Sequence, residues 1–523
     1  MSEESIREVR LQKLARMREL GHDPYRIEKF ERTDSAKNLL DNFEENREIS
    51  FAGRIVSYRL MGKAGFAHIS DGDHKIQGYF KKDELGETGW ELYNLLDLGD
   101  HVGVSGYLFV TKTGEKSIHV STLTPLSKAL HAIPIGKEKD GHVFYGLSDI
   151  EARYRHRHLD LIANADARKM LLDRARITAA VRRYFDSQGY LEVETPMLQL
   201  EAGGAAARPF LTHYNHYEIE VKLRISLELY LKRLICGDIP RVYEIGRVFR
   251  NEGVSNKHSP EFTMLEFYEA YADMETMMQR VEECFRTVAN EVFGSALVQL
   301  RPDESEEFQA AALRGERLIM LDFSSPWKRV NLLEEVERHT GLGEDDLSSL
   351  EKAKAALGHR QIVNPATGKR IHPDDEDSLG GLIEKLLEVF VEPTLQEPTF
   401  VVGYPIETSP LAKKDPNNPR MTRRFEGYVL GREICNAFSE INDPIDQRER
   451  FEHQLAEREK GDDEAHPMDE EFIYALECGM PPTGGCGIGI DRMAMLLTGA
   501  EVIREVLFFP MMKPIHLPEE PEA

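Results

Sequence analysis

RVYEIGRVFRNEGVSNKHSPEFTMLEFYEA, residues 241–270, places two runs of β-forming residues on either side of a polar loop. With a side-chain period of two, Phe262, Met264, Glu266, Tyr268 and Ala270 share one face of the second strand. Arg250 shares a face with Glu252 if the first strand runs that far. An arginine, two carboxylates, His258 and two aromatic rings then gather on one hairpin, a composition that suits a binding surface. The alternative is a surface hairpin laced by cross-strand ion pairs. Strand-like runs recur at 190–194, 399–404, 425–430 and 433–441. They outnumber the helices that parallel crossovers need, so the expected class is α+β, with an antiparallel sheet flanked by helices.

Two further stretches belong to the same expected sheet. In FEGYVLGREICNAFSEIND, residues 425–443, Asn436, Phe438 and Glu440 share one strand face, and Glu426 and Glu433 bracket a Gly431-Arg432 turn. A carboxylate pair across a hairpin could share Mg²⁺, which prefers oxygen ligands and bridges to phosphates; solvated acidic edge residues are the alternative. Glu433 is out of phase with Glu440, so both face one site only if the turn or a bulge re-aims one of them. In GGCGIGIDRMAMLLTG, residues 484–499, a glycine-rich strand enters a helix with Arg492 near its start, and the glycines admit close approach by a ligand or serve tight packing alone. A small-residue loop, GGAAARPF at 203–210, could lie over a ligand. No phosphate loop or dinucleotide fingerprint occurs.

Upstream, residues 1–45 read as a helical segment with a solvated face, closed by Gly21 and Pro24. Residues 46–130 carry about five short alternating runs and no expected long helix, which fits a small barrel of OB type. A linker is expected at 131–153, a second domain at 154–515 opening with a helix that Gly189 stops, a helix-rich insertion at 332–390, and a frayed tail at 516–523.

The 523 residues are 41% hydrophobic and 30% charged, a globular balance that excludes a membrane bundle or a largely disordered chain. Lys plus Arg number 66 against 91 Asp plus Glu, a net charge of -25, so a polyanion must be met by local basic surfaces. The 5 cysteines have no zinc-type spacing, so no zinc and a reducing compartment are expected. The acidic start is not a signal peptide and no apolar run is long enough to span a bilayer, which makes the cytoplasm the default.

In order and context these clusters resemble the signature motifs of the class II aminoacyl-tRNA synthetases, and the resemblance to the bacterial lysyl-tRNA synthetases covers nearly the whole chain. It rests on MGKAGF at 61–66, YRHRHLDLIAN at 154–164, GYLEVETPML at 189–198, GGAAARPF, LELYLKRL at 227–234, FRNEG, HSPEFTMLEFY, ETSPLAKK at 407–414, GDDEA at 461–465 and GIGIDR. The resemblance implies an N-terminal anticodon-binding OB barrel, a catalytic sheet and a homodimer. It also implies a ligase that activates L-lysine with ATP and Mg²⁺ and charges tRNA(Lys).

By the same resemblance, Arg250 and Arg492 carry the catalysis. Arg250 holds the α-phosphate and the lysine carboxylate, Glu252 accepts from the adenine amino group, Phe262 and Arg492 enclose the adenine, and His258 and Arg492 reach the distal phosphates. Glu426 and Glu433 match the Mg²⁺ ligands. Gly204 and Glu228 match partners of the α-amino group, Tyr268 and Glu440 those of the ε-ammonium, with Asn436 at the carboxylate and Glu266 in the same acidic site. Arg59, Phe66 and Gln77 match anticodon readers, the alternative for Phe66 being barrel core. Departures from the usual pattern are Ser226-Leu227 before Glu228, Ser259 after His258, and Cys435, Ala437 and Cys486. An aspartate- or asparagine-specific relative is opposed by Glu440 and Tyr268, a protein-modifying ligase by the barrel, a silent paralogue by Arg250, Glu433 and Arg492, and a lipid-lysylating fusion by the lack of apolar spans.

Overall fold

Alternating residues close the first barrel: β1 (Glu48–Met61), β2 (Ala64–Ser70), β3 (Lys75–Lys81), β4 (His101–Val110) and β5 (Lys116–Ser127) join in the order β1-β2-β3-β5-β4. Every second residue turns inward, so Phe51, Ile55, Ile69, Phe80, Val104 and Val120 are fully buried together while their neighbours face out. The structure is a computed structural model describing residues 3–139, 142–144, 146–299, 320–360, 363, 368, 370–372, 376–459 and 465–515. The chain divides into two units, Met1–Arg168 and Lys169–Ala523. The tail at 516–523 and all of GDDEA except Ala465 lie outside the described residues.

In the first unit the expected N-terminal helix forms over Glu3–Glu19, and Gly21 leaves it with φ +83°. The barrel does carry a long helix, contrary to expectation, at Lys82–Leu95. Gly86 and Gly89 make that stretch read as a loop, and at Gly86 the chain does leave helical geometry with φ +69°. Trp90, Leu92 and Tyr93 nevertheless anchor it in the barrel core, so burial overrides propensity. The Tyr93 hydroxyl donates to the carbonyl of Arg59 at 3.1 Å and lies 3.2 Å from that of Phe66. Where a plain linker was expected, Lys137–Lys139 pairs antiparallel with His142–Phe144.

The second unit is built on an eight-stranded sheet: β6 (Leu191–Glu192), β7 (Arg241–Phe249), β8 (Glu261–Ala270), β9 (Lys328–Asn331), β10 (Thr399–Val402), β11 (Arg424–Val429), β12 (Arg432–Ser439) and β13 (Thr483–Gly489). Its order is β9-β10-β11-β12-β13-β8-β7-β6. The strands from β10 to β7 in that order are antiparallel, as expected, but the two edge pairs, β9 with β10 and β7 with β6, are parallel. Parallel neighbours need a long crossover. The helix-rich segment at 332–390, with helices Leu332–Thr340, Leu350–Arg360 and Leu379–Leu386, supplies the one between β9 and β10 and packs on Val401, Tyr404 and Tyr428. One face of the sheet is covered by the Ala165–Ser187 helix, through Met170, Ile177, Val181 and Phe185, and by the Met274–Phe293 helix, through Met277, Val281 and Phe285. On the opposite face, Val242, Val248 and Tyr268 pack with Leu229, Leu231 and Ile235 of the Glu228–Cys236 helix, and Phe262, Met264 and Glu266 border an open cavity. Among the described residues no helix is long and apolar enough to cross a membrane.

Candidate active site

The hairpin β7–β8 pairs residue by residue from Arg241 with Glu269 to Phe249 with Glu261. β7 ends at Phe249, so Arg250 and Glu252 belong to the connecting loop and not to a strand face. The face of β8 that holds Phe262, Met264, Glu266 and Tyr268 forms one wall of a cavity of about 340 Å³. Every residue expected in the catalytic site lines it except Glu440.

Glu433 reaches this wall because β12 contains a bulge. Gly427 pairs with Cys435 and Tyr428 with Glu433, so Ile434 is the extra residue and the alternation shifts by one. Glu433 thereby joins the face of Asn436 and Phe438. Its carboxylate Oε2 accepts from Arg492 at 2.8 Å, and the same Arg492 nitrogen donates to the Glu433 carbonyl at 2.8 Å. Burial works against the Glu433 charge, but Arg492, Arg250 and Arg424 outweigh it and hold the group below its usual value.

Arg492 also lies 3.3 Å from His258 Nε2. Arginine is only a donor, so Nε2 accepts and Nδ1 carries the proton, which it gives to Ser255 Oγ at 2.9 Å. Burial, then Arg492, push His258 below its ordinary value, so the ring is neutral at pH 7. Arg250 sits over the Phe262 ring, 5.2 Å from its centre, and its buried Nε has no hydrogen-bond partner among the described residues. An unpartnered guanidinium N–H at a cavity wall is a donor suited to an anion.

The supports of these groups come from distant segments. Asp491, next to Arg492, is buried and accepts from the Thr263 amide at 2.7 Å and from Arg174 at 2.6 Å, which fixes β8 beside Phe262. Fully buried Arg224 bonds Glu244 at 2.6 Å and the Arg247 carbonyl at 2.7 Å. His466 Nε2 accepts from the Gly204 amide at 2.7 Å, and its Nδ1 donates to the Pro467 carbonyl at 2.7 Å. Gly204 has φ +89°, and a Cβ there would lie 2.9 Å from Ser226 Oγ, so the glycine is required. Ser226, one of the departures from the family pattern, donates to Glu266 at 2.8 Å. None of Arg174, Arg224, Asp491 and His466 was singled out from the sequence for such a role; each is an ordinary polar residue until its partner, 20 to 317 positions away, is known.

At the far end lies an acidic chamber. Glu266 accepts from Ser226, from the Leu227 amide at 2.9 Å and from Tyr268 at 3.1 Å; burial, then Glu228, push it up to about 7. Glu440 is fully buried beneath the cavity floor at Gly485, where a Cβ would lie 2.1 Å from Glu440 Oε1 and 2.3 Å from the Tyr268 ring. Lys232, fully buried on the Glu228–Cys236 helix, pairs with both Glu228 and Glu440.

At another wall of the cavity, Glu426 accepts from Arg424 at 2.6 Å, Tyr404 at 3.0 Å and Tyr428 at 2.5 Å. Neighbouring Glu392 is pushed up to about 7 by burial and by Glu426 and Glu433. An all-oxygen set with surplus negative charge fits Mg²⁺, and a carboxylate has lone pairs left after these bonds. Among the described residues, no group of three or more His, Cys, Asp or Glu is placed to hold a metal ion.

In the first unit, Arg59, Phe66 and Gln77 line one outer concavity of about 770 Å³. Phe66 is half-buried on the outward face of β2, its ring 5.0 Å from that of Tyr79, while Ala67 and Ile69 fill the barrel. Gln77 donates to Glu115 at 2.7 Å and accepts from Ser117 at 3.0 Å.

Comparison with known proteins agrees with both units. Residues 149–513 match the family described as tRNA synthetases class II (D, K and N), and residues 49–126 match the OB-fold nucleic acid binding domain. The chain is 47% identical over 508 residues to a lysine–tRNA ligase of Pelotomaculum thermopropionicum, covering 97% of this chain and 94% of that protein. It is 46% identical to those of Staphylococcus epidermidis, with 97% and 98% covered, and Moorella thermoacetica, with 98% and 99% covered. A shared motif order, a shared domain pair and this identity along nearly the full length place the chain in the lysine–tRNA ligase family of the class II synthetases.

Proposed function

We propose that the cavity joins lysine to ATP and hands the lysyl group to tRNA(Lys), as a lysine–tRNA ligase, with the work divided along its length. The observation that carries this reading is the acidic chamber: Glu228 and Glu266 line one part of a cavity with Glu440 beneath its floor at Gly485, and Arg250 and Arg492 line the same cavity. A buried ammonium needs an acceptor and a counter-ion, and the chamber offers both.

Lysine enters with its α-amino group toward Gly204 and Glu228 and its ε-ammonium toward Tyr268 and Glu440, with Glu266 adding negative charge. Arg250 and Asn436 hold its carboxylate against the α-phosphate of ATP, which Arg250 also contacts. The adenine lies between Phe262 and Arg492, with Glu252 accepting from its amino group, and Arg492, from which His258 Nε2 accepts, reaches the distal phosphates beside His258. Glu426 and Glu433 would hold Mg²⁺, which when bound neutralises phosphate charge.

A lysine carboxylate oxygen attacks the α-phosphorus in line, the bond to the bridging oxygen breaks, and pyrophosphate leaves. A hydroxyl of the terminal tRNA ribose then attacks the lysyl carbonyl, losing its proton as AMP departs. No side-chain nucleophile takes part; Arg250 and Arg492 act by positioning and by stabilising charge at phosphorus. Arg59, Phe66 and Gln77 read the anticodon, Phe66 by stacking.

We also infer a homodimer in the cytoplasm. Leu191, Leu198, Leu200, Leu211 and Tyr217 are more than half exposed, an apolar set that a second copy would cover. Sedimentation of the wild type and of Leu200→Glu tests this, with a dimer expected for the first and a monomer for the second. The activity is tested by pyrophosphate exchange with each amino acid in turn: lysine alone is expected to support it, and exchange with a neutral or acidic amino acid would overturn the reading.

A further inference from the structure

The acidic chamber already contains an ammonium group. Lys232 is fully buried, pairs with Glu228 on one side and Glu440 on the other, and lies 5.3 Å from the Phe438 ring centre and 5.9 Å from that of Phe472. Apart from Lys232, neither oxygen of Glu440 has a hydrogen-bond partner among the described residues. The two carboxylates that Lys232 joins are those assigned above to opposite ends of the substrate.

The charges that face this chamber can be enumerated. The Glu228–Cys236 helix gives Glu228 and Lys232, β8 gives Glu266 and Tyr268, and Glu440 follows β12. Arg250 also acts on Glu266 but is assigned above to the substrate carboxylate and the α-phosphate, Arg424 of β11 is committed to Glu426 and Glu384, and His466 is held neutral by burial. Three carboxylates therefore face one resident cation.

We propose that Lys232 is a specificity-determining residue: its ammonium cancels one of the three buried carboxylates and leaves a deficit of two, the number of ammonium groups carried by lysine. An amino acid with one ammonium leaves a buried carboxylate uncompensated, and that mismatch in low dielectric is the discrimination. Lys232 is a positioning residue, because it acts through Glu228 and Glu440. The empty chamber meets its deficit by holding protons, in keeping with burial raising Glu228 and Glu440 and Glu266 being pushed up to about 7. Arriving ammonium groups displace those protons.

This inference rests on the lysine-pocket reading, and the experiment separates the two. Lysine-dependent exchange is measured from pH 6 to 9 for wild type, Glu440→Gln, Lys232→Met and Lys232→Arg. For Lys232→Met, the KM for lysine is expected to rise about tenfold at pH 7 with smaller changes in kcat and in the KM for ATP, a loss of binding and not of chemistry. The acid limb of kcat/KM for lysine moves up by about one pH unit, because Glu228 and Glu440 hold protons more tightly without their counter-ion. Preference for lysine over L-norleucine falls, and Lys232→Arg restores the limb. An unchanged Lys232→Met beside an impaired Glu440→Gln overturns the inference alone; an unchanged Glu440→Gln overturns the pocket reading as well. Should Lys232→Met not fold, calorimetry of lysine binding to the wild type in two buffers of different ionisation enthalpy decides: release of about one proton or more at pH 7 supports the deficit, and no release overturns it.

Discussion

Arg492 holds Glu433 by two atoms at once, the side-chain Oε2 and the main-chain carbonyl, each 2.8 Å from the same guanidinium nitrogen. The cation proposed to meet the nucleotide is thus fixed in place by a carboxylate proposed for the metal, so neither can move without the other.

Arg492→Ala is expected to lower lysine-dependent pyrophosphate exchange by about 10²–10³-fold, the usual cost of removing a preorganised charge donor. Arg492→Lys should not restore it, since a point ammonium cannot reproduce the planar fork that reaches Glu433 and His258 together. Steady-state exchange on the two variants checks both statements.

His466 is expected to make the protein acid-sensitive. Burial holds it near 4, below its ordinary 6.5, so the unfolded chain binds the proton first. Its contribution is whole above pH 6.5 and is lost as the pH falls toward 4, at up to about 1.4 kcal/mol per pH unit. Urea unfolding across that range should show the wild type losing stability relative to His466→Gln, which cannot charge.

Gly485→Ala should damage lysine recognition and spare ATP. The new methyl group would lie 2.1 Å from Glu440 Oε1 and 2.3 Å from the Tyr268 ring. Forced repacking of this kind costs about 1–3 kcal/mol. A raised KM for lysine with an unchanged Kd for ATP is the expected pattern.

Phe66→Ala should weaken tRNA charging without touching the first half-reaction. Loss of one stacked base costs about 1–3 kcal/mol. The KM for tRNA should rise accordingly while pyrophosphate exchange keeps its wild-type rate.

Much of this architecture is legible in the sequence, because strands and motifs announce themselves locally. Alternation located the barrel strands and β8, and the mismatch in phase between Glu433 and Glu440 stated the need for a bulge that Ile434 supplies. What stayed hidden is set by distance along the chain. Lys232 sits in an ordinary amphipathic helix, and nothing local says that Glu440, far downstream, will close on it. The Lys82–Leu95 helix was hidden for the opposite reason, since its glycines speak locally against a helix that Trp90 and Tyr93 secure by burial. The parallel edges of the sheet depend on crossovers that no strand pattern records.

The bulge in β12 works like a phase slip in a two-beat rhythm. Ahead of Ile434 the odd-numbered Glu433 faces the cavity; beyond it the even-numbered Asn436 and Phe438 do. The reading of this strand is therefore anchored by a single uncounted residue. Deleting Ile434 would leave every other amino acid in place and still turn one half of the strand's face away from the site, so substitutions here are graded in effect while a one-residue change in length is all or nothing.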